Sequence, residues 1–325
     1  MPPVSRRSLL SSLALAAVPA PLFGCRDSGA APPSARRKVR LTYGASSVAK
    51  MRGVFERTLA AEGIDVEWIG PFPNHAPTLQ AVATNTADFS FGGSSTPAAQ
   101  AILSGAKLSF VSWTTTLPRT TSILVLPSSP IQRVSDLVGK TVAVNKAGVA
   151  EFLLVAALEK YAVPRERVNV VYLNPPDAAA AFAAGKVDAW AIWSGPRDVA
   201  EVQHGARRIF EEGKELDFQI DFGTYLVRDD YARREPDLIR HVLRAQQAEL
   251  EWTNANFAEA TELGRQVSKY PQAVVDRMIA EPQVSTLRFI DDEGLAKLQA
   301  GADWLAARKV ISGKLDVAAH AVRLG

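Results

Sequence analysis

Three short segments rich in hydroxyls, amides and glycine each stand between an apolar run and a run with helical spacing. They are Ser46 and Ser47; Ser94, Ser95 and Thr96; and Asn145, Lys146, Ala147 and Gly148. A strand that feeds a helix leaves the first backbone N–H groups of that helix without intrahelical partners. Those groups attract an anion without presenting a full counter-charge, so capture stays reversible. Taken singly, each hydroxyl reads equally well as a helix cap; taken together, the three loops point to an anion site at strand ends. Trp193 closes an apolar run and offers an aromatic wall. Trp190 and Trp193 are read as sharing one side of their strand, with Trp193 nearer the ligand. Thr224 and Tyr225 complete the candidate set. Arg119 is read first as a solvated surface arginine and His75 as a loop histidine, each with a lesser claim on the site.

The elements that must position these groups alternate at short range. The spacing predicts strands over 39–43, 64–69, 87–91, 108–113, 122–126, 141–144, 168–173, 187–193, 207–210 and 221–227. Helices are predicted over 48–61, from about 78 to 84, from Pro97 with Thr96 as its cap, from Val149 to Tyr161, and over 176–184 and 196–203. This is an α/β pattern and predicts mostly parallel sheets. After residue 227 the spacing turns helical, over 236–252, 257–267, 272–279 and 291–306. The C-terminal hundred or so residues therefore read as a helical cap on a sheet laid down earlier.

Composition narrows the chemistry. The chain has 325 residues, 47% of them hydrophobic, and a net charge of +3 from 37 basic and 34 acidic groups. That is an ordinary globular composition, long enough for two cores and without the basic excess of a nucleic-acid surface. A single cysteine excludes an internal disulfide and a cysteine-rich metal site. Four histidines with no helical His-x-x-x-His pair argue against a zinc enzyme. Gly139-Lys140-Thr141 has the end of a phosphate-loop signature, but Val134 stands where its first glycine belongs and a strand follows instead of a helix. No Gly-x-Ser-x-Gly elbow is present. Neither an enzyme nor a cofactor is expected.

The N-terminus reads as an address. Ser5-Arg6-Arg7-Ser8-Leu9-Leu10 is a twin-arginine pattern, and the apolar run that follows is too short and interrupted to span a membrane. It stops at Leu22-Phe23-Gly24-Cys25, which resembles a lipoprotein cleavage box. Residues 1–24 are thus expected to be a signal peptide, Cys25 to carry a lipid, and residues 25–38 to be a flexible tether.

Ser135-Asp-Leu-Val-Gly-Lys-Thr-Val-Ala-Val-Asn-Lys, Gly185-Lys-Val-Asp-Ala-Trp-Ala-Ile-Trp and the Asp88-Phe89 run before Gly-Gly-Ser-Ser-Thr-Pro together resemble the aliphatic-sulfonate, taurine and nitrate-binding proteins of ABC importers. The likeness is strongest to the sulfonate-binding members and covers most of the chain from Val39. It implies a type II periplasmic-binding-protein fold, in which two α/β lobes are joined by two crossing segments around a ligand cleft and close by hinge motion. The crossings are expected near 118–123 and 223–227, lobe one at 39–117 plus 228–325, and lobe two at 118–227. The resemblance further implies an exported, periplasmic monomer, tethered by lipid, that takes a small anion to permease subunits. The chain departs from the family pattern at Ala147-Gly148 (usually Gly-Ser), at Ser194-Gly195-Pro196 (usually Asp-Pro) and at Asn74-His75-Ala76-Pro77 (usually Gly-Pro-Gln). Nitrate, taurine, a sulfate ester or a pyrimidine precursor remain alternative ligands, and an enzyme on the same scaffold an alternative function. A transcription-factor effector domain would need a helix-turn-helix in place of the export signal.

Overall fold

The computed structural model describes residues 36–44 and 47–325. Cys25, the expected signal and most of the tether lie outside them, as does Ser46.

Two sheets organise the chain, one to each lobe. The first contains β1 (Arg37–Gly44), β2 (Ile64–Phe72), β3 (Gly93–Ser94), β4 (Leu108–Leu117), β10 (Gly223–Arg228) and β11 (Val284–Phe289). The second contains β5 (Ser122–Val125), β6 (Thr141–Val144), β7 (Asn169–Tyr172), β8 (Ala189–Ile192) and β9 (Arg207–Glu211), in the order β7-β6-β8-β5-β9. Helices α1 (Val48–Arg52), α2 (Val54–Ala61), α3 (His75–Ala83) and α4 (Ser95–Leu103) connect strands of the first sheet. Helices α5 (Val149–Lys160), α6 (Pro175–Ala183), α7 (Pro196–His204) and α8 (Glu212–Glu215) follow strands of the second. The chain then runs through α9 (Asp229–Arg234), α10 (Pro236–Ala255), α11 (Phe257–Ser268), α12 (Gln272–Ala280) and α13 (Asp292–Ala307).

Burial explains these choices. In β6, Val142, Ala143 and Val144 are all fully buried, as a strand covered on both faces requires. The α5 segment is buried almost all round, from Ala150 to Leu158. Its Phe152 ring stands edge-on against Trp304 of α13, at 5.4 Å between centroids.

The sheets are mixed, not mostly parallel. Only the β1–β2, β6–β7 and β6–β8 pairs run parallel. β10 is antiparallel to β3 and β4, β11 to β4, and β5 to both β8 and β9. A strand that enters from the other lobe arrives from the opposite end, and so runs against its new neighbours. The strand expected over 87–91 reduces to Phe89, which bridges β1 and β10. The C-terminal part is not purely helical: β11 joins the first sheet at an edge, with only Leu287 fully buried, so its apolar signal is thin.

The chain leaves the first sheet after Leu117 and enters the second at Ser122; it returns between Glu211 and Gly223. Thr224 and Tyr225 therefore sit inside β10 and not at a crossing. A third link comes from the C-terminal helices: α11 packs on α1 and on α12, and α12 packs on α7. Helix α13 braces the return segment, where a Cβ on Gly301 would stand 2.3 Å from the Ile220 carbonyl oxygen. Gly301→Ala is expected to cost about 1–2 kcal/mol, overpacking outweighing the better helix propensity of alanine. The check is a lower urea midpoint at unchanged slope; an equal or higher midpoint would show that the return segment yields.

Candidate functional site

Between the two sheets lies a cavity of about 920 Å³. Its walls come from both lobes and from α11 and α12, and its polar groups divide into two kinds.

At the end of β6 the chain breaks through Asn145 and Lys146, then Ala147 at φ 47°, before α5 begins. The Asn145 amide lies directly on Gly148, where an added Cβ would stand 1.7 Å from Nδ2. A Cβ at 148 would have to displace the Asn145 amide, which takes the space where the family pattern has a serine side chain. The Asn145 Oδ1 is buried and has no partner among the described residues. The Ala147 N–H donates to Glu151 Oε2 at 2.6 Å; Glu151 is itself held by Arg165 and by the Tyr172 hydroxyl at 2.8 Å. The Glu151 N–H donates to the Gly148 carbonyl at 3.0 Å, which leaves the Val149 and Ala150 amides of the first turn without an acceptor in the helix. Lys146 makes no ion pair among the described residues, and its ammonium lies 5.7 Å from the Tyr172 ring centre. Lys146 is the uncommitted cation of the cavity wall.

Arg119 also lines the cavity but is spent on the protein. It donates to the carbonyls of Leu216 (2.6 Å) and Phe218 and lies 3.4 Å from Glu212 Oε1. It braces the two crossing segments against each other and is not a solvated surface arginine. Burial pushes the Glu212 carboxyl up to about 7; Asp221 nearby adds to the shift and Arg119 opposes it.

The mouth of α4 already contains a carboxylate. Asp221 Oδ1 accepts from Ser94 Oγ (2.6 Å), Ser95 Oγ (3.2 Å), Thr96 Oγ1 (2.8 Å) and the Thr96 N–H (3.1 Å). The hydroxyls expected to receive an external anion are committed to an internal carboxyl group, whose pKa burial pushes up against the hydrogen bonds of Ser94, Thr96 and Ser95. Ser94, one residue ahead of the helix, is the cap in place of Thr96: its Oγ accepts from the Thr96 N–H. Beside it, His75 begins α3, which Asn74 caps. The Nδ1 of His75 lies 2.8 Å from the Ser94 carbonyl. A carbonyl only accepts, so Nδ1 carries the proton and Nε2 offers a lone pair. That Nε2 is buried without a partner among the described residues. Burial, opposed by the Ser94 bond, pushes the imidazole down to about 4.

Of the sequence candidates, Ser94, Asn145, Lys146 and Trp193 line the cavity, with His75 and Arg119. Ser47, Ser95, Thr96, Ala147, Gly148, Thr224 and Tyr225 are not among its lining residues. Thr96 and Thr224 are fully buried and bonded to protein, so they build the wall. The two tryptophans do not share a side. Three residues apart on a strand means opposite faces: Trp190 packs on Phe182 at 5.7 Å, while Trp193 lines the cavity. Sequence reasoning missed Asp221 as a site group, because its partners lie 125 to 127 positions away. It also missed Asn74 and Asn174, the residues ahead of α3 and α6, which meet across the cleft with Nδ2 to Oδ1 at 3.1 Å.

Comparison with known proteins places this architecture. The model of the family described as NMT1/THI5 like matches residues 46–260. A protein of Escherichia coli (strain K12), provisionally named an aliphatic sulfonates-binding protein, is 30% identical over 78% of this chain and 77% of its own. Among solved structures, the alkanesulfonate-binding protein SsuA from Xanthomonas axonopodis pv. citri, bound to MOPS, superposes with a TM-score of 0.78 at 27% identity, covering 88% of this chain and 98% of its own. The periplasmic aliphatic sulphonate binding protein SsuA from Escherichia coli gives 0.75 at 27% identity, over 87% and 91%.

Proposed function

The chain belongs to the NMT1/THI5-like family, and from that premise we propose that it is the substrate-binding component of an ABC importer, which captures a small sulfonate in the inter-lobe cleft and delivers it to permease subunits without turnover. The observation that carries this reading is the α5 mouth: first-turn amides, the Asn145 side chain and an unpaired Lys146 converge on a cavity that Trp193 also lines. Such a set holds a tetrahedral oxyanion by several weak donors and one mobile charge. Asn145, Lys146, Trp193 and Ser94 are the proposed ligand contacts. Lobe one is proposed to end at the first crossing and resume at β10, and Cys25 to carry the membrane anchor after export.

The test is a titration of small alkanesulfonates followed by thermal unfolding. A ligand bound only by the native state at 100 times its Kd adds about 2.7 kcal/mol and raises Tm. Lys146→Ala is expected to weaken sulfonate binding about 10- to 100-fold, the worth of one charge-assisted hydrogen bond. A chain indifferent to every sulfonate, yet stabilised by a neutral compound, would overturn the assignment.

A further inference from the structure

Helix α12 stands between the lobes, and its polar bonds divide unequally. Arg277 Nε donates to Glu201 Oε2 of α7 at 2.6 Å and lies 4.0 Å from Asp198 Oδ1. Glu281, the residue that ends α12, accepts from Arg197 Nη2 of α7 at 3.0 Å and from Arg208 Nη2 of β9 at 2.9 Å. The partners on lobe two are the sheltered ends of these pairs: Arg197 is fully buried, and Glu201 and Arg208 are mostly so. Ahead of α12, the Tyr270 ring rests on lobe two as well, since a Cβ on Gly195 would stand 3.0 Å from its hydroxyl oxygen. Behind α12, Gln283 Nε2 donates to the Pro118 carbonyl at 3.0 Å and to Thr120 Oγ1 at 3.2 Å, both on the first crossing. Towards lobe one, α12 makes a single side-chain bond among the described residues, from Gln272 to Glu262 of α11.

Two seams compete to part when the lobes open. Parting α12 from α7 strips Glu281 from two arginines and Glu201 from Arg277, and leaves sheltered charges without their partners, which is costly. Parting α12 from α11 breaks one hydrogen bond and an apolar contact. That second seam is also a wall of the cavity, with Ala260 and Gly264 of α11 on one side and Val275 and Met278 of α12 on the other. Short links flank α12: Lys269, at φ 58°, leads through Tyr270 to Pro271, and Glu281 is three residues from β11. A few such residues suffice to absorb a hinge rotation. We propose that α12 belongs to lobe two and travels with it, so that the cleft opens between α11 and α12. Two further crossings, at 269–271 and 281–283, then join the pair already described, and the helix between them leaves lobe one. Arg277 and Glu281 become positioning residues for capture, because they keep Val275 and Met278 on the closing lobe. The importer reading above supplies the ligand for this motion; the division of the chain stands on the contacts alone.

Distances between paired spin labels test this. The label sites are exposed: Ala280→Cys on α12, Gln203→Cys on α7 and Ala258→Cys on α11, in a chain whose one native cysteine is removed by Cys25→Ser. In the unliganded chain the α12–α7 distance is expected to be narrowly distributed and the α12–α11 distance broad. Saturating ethanesulfonate is expected to shift the α12–α11 distance by more than about 2 Å and to leave the α12–α7 distance in place. The reverse pattern, or two equally narrow distances that a bound sulfonate leaves alone, would overturn the inference while the importer reading stands. If no sulfonate binds, the importer reading falls, and the two distributions in the free chain still decide the inference. Arg277→Met with Glu281→Gln should broaden the α12–α7 distance and speed ethanesulfonate release about tenfold. A role in folding alone would lower the urea midpoint and leave that distance unchanged. Should the double variant fail to fold, Arg277→Met by itself, at a partly exposed position, gives the same readout.

Discussion

Asp198→Ala lowers the unfolding free energy by about 3–5 kcal/mol, the range for a buried ion pair stripped of one partner. Arg197 and Asp198 open α7 and are both essentially inaccessible, at 1% and 0% side-chain exposure. Asp198 Oδ1 accepts from Arg197 Nη2 at 2.7 Å and Nε at 3.2 Å. Its Oδ2 accepts from the Gly195 N–H at 2.8 Å and from Ser194 Oγ. Truncation would leave a guanidinium buried with only Glu281 and the Thr120 carbonyl, and would release the turn that aims Trp193 and Ser194 at the cleft. The same cluster carries Arg208 and Arg277, which join α12 to α7 and β9. Guanidinium denaturation measures the loss. The double variant Arg197→Met with Asp198→Leu is expected to lose less than Asp198→Ala alone, since it removes both charges. A loss under about 1 kcal/mol in the single variant would show that Glu281 alone suffices.

The contributions of two buried groups to stability oppose each other between pH 6.5 and 4.5 in the unliganded protein. His75 has its pKa lowered from 6.5 to about 4, so the unfolded chain binds the extra proton in that interval. Its contribution is full above 6.5 and is lost as pH falls towards 4, by about 3 kcal/mol. Glu212 is raised from 4.5 to about 7, so here the folded chain binds the extra proton. Its contribution is present below 4.5 and is lost as pH rises through 7, by a similar amount. Removing one group unmasks the other. Glu212→Gln should lose about 3 kcal/mol as pH falls from 6.5 to 4, and His75→Phe should gain a similar amount as pH falls from 7 to 4.5, so the two profiles diverge by about 5 kcal/mol. Urea midpoints across that range decide it; parallel profiles for the two variants would contradict both assignments. These opposed titrations sit in one cavity, so the cost of storing an acid and a neutral imidazole there is hidden from any measurement at a single pH.

How much of this was readable from the residues depends on how local the cause was. β6 and α5 were plain, because Val142 to Val144 and the run from Ala150 to Leu158 carry their burial in their own composition. β11 was not, since an edge strand with one fully buried residue differs little from a loop between helices. The return crossing was placed too late because Asp221 and Phe222 run straight into β10 and look like its beginning. The layout of the α5 mouth, with Asn145 and Lys146 on the cavity wall, follows from a strand–glycine–helix pattern, and so was visible. The carboxylate that fills the α4 mouth was not, for it arrives from 125 positions away and only the fold brings it there. The tryptophans were misassigned by a counting matter: an odd separation on a strand reverses the face.

The bridge between Asn74 and Asn174 joins two uncharged amides that are open to water. Such a clasp is worth about 1 kcal/mol, and neither ionic strength nor acidity alters its strength. That one tie across the cleft therefore holds equally well in dilute or salty, acid or neutral surroundings. It is the contact between the two rims that the medium leaves untouched, unlike the arginine–carboxylate cluster that joins α12 to α7 and β9.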